Sequence, residues 1–368
     1  MIYLDSAATT KVLPEAAKAA VSAMTEVFAN PSSLHSFGYE AEKIREKARK
    51  AVASAAGVKD EEIVFTSGGS GADNLAIFGY LKNKKGGRII TSAYEHPAVL
   101  ECFKALSPQF ETVYLKPEDG IITPDSLKKA LTADTLLVSI MHVNNETGAL
   151  NPIKELSCVT KDFSDAVFHT DAVQGFLKEN ACYSYCDMAS FSAHKTGAPK
   201  GIGALYVKKG VRLKPVIYGG GQEKGLFCGT ENVPAAAAWT EAVKILAPTL
   251  FKRREKAELL KKKTEELLLS LGAVIITPKI SSPHIVTAAF DGYLSENIVH
   301  FLEKKEIYVS TGSACSSKKA SATFSAIGME KYSASSLRIS FADDTEENDI
   351  DIFASALEEA IKTLKRKQ

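Results

Sequence analysis

A chain of 368 residues carrying 45 Lys and Arg against 44 Asp and Glu has a formal net charge of +1, which leaves no basic excess to make nucleic-acid binding its main activity. With 45% apolar content it can bury a large core, and two domains are expected. No apolar run is long enough to span a bilayer, and the N-terminus enters a motif without a charged start, apolar core or cleavage site, so a cytoplasmic location is expected.

Glu62 to Thr66 reads as a short strand, Ser67-Gly68-Gly69-Ser70-Gly71 as a turn, and Ala72 to Tyr80 as a helix by its apolar periodicity. Glycines in such a turn let backbone N–H groups approach an anion, and the helix that follows adds its positive dipole end. Taken alone, the same turn is equally compatible with a plain tight connection. Ala166 to His169 forms a short apolar strand that ends at Asp171, with Gln174 three residues on. A carboxylate there can pair with a protonated heterocyclic nitrogen. The run Asp187 to Lys195 is an apolar segment closing on Ser192, His194 and an amine. An amine at the end of a buried segment loses hydration of its charged form, its pKa falls, and Schiff-base chemistry comes within reach near neutrality. By itself, Lys195 reads more simply as a solvated surface group. Anion turn, strand-end Asp and strand-end Lys, in that order on alternating strands and helices, are together the parts that pyridoxal phosphate requires.

The alternation runs from about Glu62 to Val207 and predicts a mostly parallel sheet covered by helices on both faces. Leu250 to Leu271, with Lys252-Arg253-Arg254-Glu255-Lys256, predicts a solvated connecting helix. There are no internal repeats, and the polar tail Lys365 to Gln368 is expected to fray.

The six cysteines, Cys102, Cys158, Cys182, Cys186, Cys228 and Cys315, are too scattered for a disulfide framework, so reduced thiols are the default. Cys182 and Cys186 lack a second Cys or His pair to complete four ligands, and they read as packing residues rather than a metal pair. Cys315 stands in the small-residue run Ser310 to Lys319, where a thiol can face solvent or swing into a pocket. Lys318 and Lys319 favour its thiolate. The residues alone leave both a mobile surface cysteine and a nucleophile open.

Further motifs run nearly end to end: Tyr3 to Thr10, Asn30-Pro31-Ser32-Ser33-Leu34-His35, Glu95-His96-Pro97-Ala98-Val99 and Val143-Asn144-Asn145-Glu146-Thr147-Gly148. They continue with His169 to Gln174, Ser192 to Lys195, Gly219 to Glu223, Gly312-Ser313-Ala314-Cys315 and Ser336-Leu337-Arg338-Ile339-Ser340. On these motifs the chain resembles the cysteine desulfurases of the NifS/IscS-like group, in the class V aminotransferase superfamily of fold type I pyridoxal-phosphate enzymes. The resemblance implies an α/β fold with a large cofactor domain, residues 14–248, and a smaller α+β domain, residues 1–13 and 249–368, that carries the Cys315 loop.

The resemblance also implies the site. Lys195 would hold pyridoxal 5'-phosphate and then act as the base at the substrate Cα. Asp171 would keep the ring nitrogen protonated, Gln174 would donate to the phenolic oxygen, and His96 would stack on the ring and move protons. Gly69, Ser70, Ser192 and His194 would hold the phosphate, and Asn145 and Arg338 the substrate carboxylate. Cys315 would take sulfur from L-cysteine as a persulfide, releasing L-alanine, and pass it to an acceptor protein serving iron–sulfur cluster assembly or tRNA or cofactor thiolation. The implied assembly is a homodimer in which Thr230 reaches the phosphate of the other chain. The alternatives are a selenocysteine lyase or another lyase or aminotransferase of the superfamily, and a non-catalytic sulfur-assembly scaffold.

Three places depart from the family pattern. Ser70-Gly71 stands where the family has Thr-Glu, Gly197-Ala198 where it has an aromatic or His followed by Gly, and Phe227-Cys228 where it has Arg and a small residue. Cys228 reads as a small residue filling a small site, with a second relay thiol as the other reading.

Overall fold

The computed structural model describes residues 1–312 and 321–366. In chain order its elements are β1 (Ile2–Tyr3), α1 (Pro14–Thr25), α2 (Ser36–Ala56), β2 (Ile63–Thr66), α3 (Gly69–Leu81), β3 (Arg88–Ser92), α4 (Pro97–Leu106) and β4 (Glu111–Leu115). Next come α5 (Pro124–Ala130), β5 (Thr135–Ser139), α6 (Ile153–Phe163), β6 (Val167–Asp171), β7 (Met188–Ser192), β8 (Gly203–Val207), α7 (Val233–Leu246) and α8 (Leu250–Ser270). The C-terminal part holds β9 (Val274–Ile275), β10 (Ile285–Ala289), α9 (Ser295–Glu303), β11 (Ile307–Tyr308), β12 (Ser310–Thr311), α10 (Ala322–Ala326), β13 (Ser336–Ser340) and α11 (Glu347–Thr363).

Among the described residues the large sheet has seven strands in the order β2-β8-β7-β6-β5-β3-β4. Strands β7, β6, β5, β3 and β4 pair in parallel, while β8 runs antiparallel to both β7 and β2. Every residue of β7 is buried, and β5 and β6 have one half-buried residue each. That is why these strands read as continuous apolar runs rather than as an alternation: helices cover both faces. The second sheet, β12-β13-β10-β9, is antiparallel. It packs its own core, with Leu4, Val286, Ile298, Leu337, Ile339, Phe353 and Leu357 buried together.

Two features differ from the expected pattern. The helix begins at Gly69, inside the Gly-rich turn and not after it. The charged helix α8 buries Ala257, Leu260, Thr264 and Leu268 on one face. Its Arg253 is not simply solvated, since Nη1 donates to Asp343 Oδ1 at 3.1 Å and Nη2 to the Leu246 carbonyl at 3.0 Å. Arg254 pairs with the buried Glu179. The charge run therefore fastens α8 to its neighbours, which spacing alone does not disclose. Among the described residues no helix is long and apolar enough to cross a membrane.

Candidate active site

The parallel strands β5, β6 and β7 deliver their C-terminal ends to one side of the large sheet, where ligands of open α/β sheets bind. β6 ends on Asp171, β7 on Ser192, and the tight turn Ala193–Lys195 follows at once. β2 leads through the glycines into α3, and β13 of the other sheet brings Arg338 across. The result is a cavity of about 460 Å³. Of the expected site residues, Gly69, Ser70, His96, Asn145, Asp171, Gln174, Ser192, His194, Lys195 and Arg338 all line it.

Of the two remaining expected residues, one is placed elsewhere and one is not described. Thr230 lines a different cavity, of about 140 Å³, together with Arg45, Phe227 and Cys228. Cys315 lies outside the described residues. Its flanks, however, are placed: Ser310 and Thr311 line the Lys195 cavity, and Ser321 Oγ donates to Glu146 Oε2 at 2.7 Å, next to Asn145.

Gly69 is required where it stands, because a Cβ there would come within 2.7 Å of Val173 Cγ2. Without a side chain, the first turn of α3 opens its unpaired N–H groups to the cavity. Opposite, Ser192 Oγ is buried and has no hydrogen-bond partner.

Lys195 Nζ donates to the carbonyls of Ala7 and Ala8, at 2.5 and 2.8 Å. Burial lowers its pKa to about 7, with Lys178 and Arg338 pushing the same way and Asp171 and Asp5 opposing. A neutral, nucleophilic amine is therefore well populated at physiological pH. His96 accepts the Ala98 N–H on Nδ1 at 3.1 Å, which leaves its proton on Nε2. Its pKa is lowered by burial and by Lys195, against Asp171. His194 is pushed down to about 4 by burial and by Lys195, Lys200 and Lys178, so it stands neutral; its Nδ1 meets Thr9 Oγ1 at 3.1 Å. Burial raises the Asp171 carboxyl, and the Val173 N–H at 2.9 Å partly offsets this.

Arg338 is buried, with Nη2 on Asp5 Oδ1 at 2.7 Å and Nη1 on the Asn145 carbonyl at 3.0 Å. Nε has no partner. The guanidinium expected to bind a carboxylate is thus already held in place by two of its five N–H groups, with Nε–H among the three left over.

Four residues escaped the sequence reading. Asp73 lines the cavity one helical turn beyond Gly69, with Oδ1 making no hydrogen bond and lying 3.7 Å from His169 Nε2, and its carboxyl raised well above the usual range by burial and by Asp171. Its i, i+4 spacing from Gly69 was the available signal. Glu95 is buried beside His96. Asp5 holds Arg338 from within the first motif. Lys178, a charge ending the apolar run Phe176-Leu177, turns out to be buried.

Pyridoxal phosphate fits these residues. A phosphate would give Ser192 Oγ the partner it lacks and meet the open N-terminus of α3, while Asp171 and the Lys195 amine supply the two chemical requirements at the ring.

Residues 2–353 match the family model described as Aminotransferase class-V. A protein of Lactobacillus delbrueckii subsp. bulgaricus described as a NifS/IcsS protein homolog is 41% identical over 98% of this chain and 97% of its own length. A cysteine desulfurase IscS of Dictyoglomus turgidum is 40% identical over 99% of this chain and 95% of its own. Among solved structures, a NifS-like protein superposes with a TM-score of 0.93 at 35% identity, covering 99% of this chain and all of the other. With the anion turn, strand-end Asp and buried amine occupying one cavity, the protein belongs to the class V aminotransferase family and to its NifS/IscS-like group.

Proposed function

We propose that the protein is a pyridoxal-phosphate-dependent cysteine desulfurase, which converts L-cysteine to L-alanine and transfers the sulfur to its own Cys315. The observation that carries the reading is the buried Lys195 amine, pKa about 7, in one cavity with Asp171, Gln174, His96 and Arg338. Relatives described as cysteine desulfurases match over nearly the whole chain.

Bound pyridoxal phosphate supplies an electron sink that makes the Cα–H bond of an amino acid breakable. The α3 N-terminus at Gly69 and Ser70, with Ser192 and His194, holds the phosphate. Asp171 holds the proton on the ring nitrogen through a charge-assisted hydrogen bond. Gln174 would donate to the phenolic oxygen, and His96 would stack on the ring. Arg338, steadied by Asp5, takes the substrate carboxylate together with Asn145. The Lys195 amine would remove the Cα proton and later return one. The Cys315 thiolate attacks the substrate sulfur, the S–S bond forms as the Cβ–S bond breaks, and alanine leaves after protonation of its Cβ. Persulfide sulfur then passes to an acceptor protein of iron–sulfur assembly or thiolation.

On the same reading, residues 14–248 form the cofactor domain and residues 1–13 and 249–368 the smaller one, supported by the separate cores of the two sheets. The working form is a homodimer in the cytoplasm, with Thr230 of the partner subunit completing the phosphate site. The location of Thr230 outside the Lys195 cavity of its own chain supports this. The test is release of sulfide and alanine from L-cysteine by cofactor-loaded protein with a thiol reductant. Equimolar products that vanish in both Lys195→Ala and Cys315→Ala are expected; turnover that survives Cys315→Ala would replace this reading with a lyase acting without the thiol.

A further inference from the structure

Behind Lys195 lies a second cavity, of about 280 Å³, lined by Lys195 itself and by Lys178, Arg253 and His284. Lys178 is 8% exposed. An ammonium taken out of water needs partners, and an unpaired one is costly enough that such lysines are rare. Among the described residues its side chain makes one hydrogen bond, to Gln174 Oε1 at 3.4 Å. Gln174 Nε2 in turn donates to the Ala7 carbonyl at 2.7 Å, and Lys195 Nζ donates to the same carbonyl. One chain of contacts therefore runs from Lys178 through Gln174 and Ala7 to Lys195.

We propose that Lys178 is a positioning residue for this site, its buried ammonium holding the Gln174 carbonyl oxygen and opposing a second positive charge at Lys195. The geometry has two consequences. With Oε1 turned to an ammonium and one N–H on the Ala7 carbonyl, the amide keeps its second N–H as a donor for the Lys195 cavity that Gln174 lines. The second consequence is electrostatic. Lys195 faces Asp171 from β6 and Asp5 from the N-terminal segment, which draw a proton to it; Lys178 and Arg338 from β13 push the proton away, and the weakly basic His96 and His194 adjoin. Lys178 itself faces Asp343, which favours its charge, and Arg253 and Arg338, which disfavour it, with His284 alongside. Burial brings Lys178 to about 8, so it is still mostly charged at neutral pH while Lys195 is half neutral. Removing the Lys178 charge leaves the two carboxylates with less opposition, and Lys195 holds its proton to higher pH.

This inference deepens the desulfurase reading, yet its test does not need the cofactor or turnover. The full chain, freed of cofactor, is treated with a trace of acetic anhydride across pH 6 to about 10, and acetylation of the Lys195 peptide is followed by mass spectrometry. In wild type the labelling rate should have its midpoint near 7. In Lys178→Met the midpoint should rise by about one pH unit, lowering the rate at pH 7 roughly fivefold, and Lys178→Arg should restore the wild-type profile. Lys178→Gln, which keeps a polar end without the charge, should follow Met and serves if Met does not fold. Met and Gln variants that titrate like wild type would overturn the proposal, as would an Arg variant shifted as far as Met, since that marks a packing role. Loss of sulfide release in wild type would sink the desulfurase reading and leave this result standing.

Discussion

Phe227 lies against Gly71: a Cβ at position 71 would come within 3.3 Å of Phe227 Cζ and 2.9 Å of Ser67 Oγ. Two of the positions at which this chain leaves the family pattern are thus in contact, and the acid and arginine expected there are replaced together by a gap and a ring. The loop carrying Phe227 is fixed from below. Glu223 pairs with the buried Arg49 at 2.7 Å and accepts the Phe65 N–H at 2.8 Å, tying the loop to β2.

Gly71→Ala should therefore destabilise, although alanine is worth about 1 kcal/mol more than glycine in a helix interior. Crowding of this kind costs about 1–3 kcal/mol, so a net loss of about 1 kcal/mol is expected. In a Phe227→Ala background only the contact with Ser67 Oγ is left, and the loss should shrink. A double-mutant cycle in urea measures this; equal losses in both backgrounds would show that the ring and the glycine are not coupled.

Glu95→Gln should stabilise the protein at alkaline pH. Glu95 is buried, with Oε1 accepting from Ser92 Oγ and from the Met141 N–H at 2.9 Å, while Oε2 has no partner. Burial raises its pKa to about 8, far above the unfolded value, so the folded state binds the extra proton. Stability from this group is then complete below the usual carboxylate range and is lost as pH rises toward about 8. Glutamine keeps the shape and cannot ionise. Chemical denaturation at pH 6 and pH 9 should show a smaller decline in the variant than in wild type, whereas parallel declines would place the titrating group elsewhere.

Arg338→Lys should raise KM for L-cysteine about 10- to 100-fold, the equivalent of about 1.5–3 kcal/mol for hydrogen bonds to a charged group, and leave cofactor binding intact. Lysine cannot reach Asp5 and the Asn145 carbonyl with the same planar fork. Asp5→Asn removes only the charge of the steadying partner and should have a smaller effect on KM. Steady-state kinetics beside the visible absorbance of bound cofactor separate the two; loss of cofactor in Arg338→Lys would assign Arg338 a different task.

Much of this site was legible because its residues sit at strand ends and in a turn whose chemistry is local. Asp171, Ser192 and Lys195 end apolar runs, and Gly69 opens a helix after one, so their placement follows from the strand and helix pattern. What escaped depends on contacts between distant segments. Nothing near Lys178 in the sequence says that its ammonium is buried behind Lys195, and the pairing of Asp5 with Arg338 spans nearly the whole chain. The charges of α8 read as solvent-facing because a run of Lys and Arg does not reveal that Glu179 and Asp343 lie opposite.

The most direct measurement is mass spectrometry of the Cys315 peptide after one turnover, with cofactor-loaded protein mixed with one equivalent of L-cysteine, without reductant or acceptor, and then alkylated. The proposed chemistry predicts an added sulfur atom on Cys315, alanine in equal amount, and neither product in Lys195→Ala. Alanine formed while Cys315 carries no extra sulfur would contradict it.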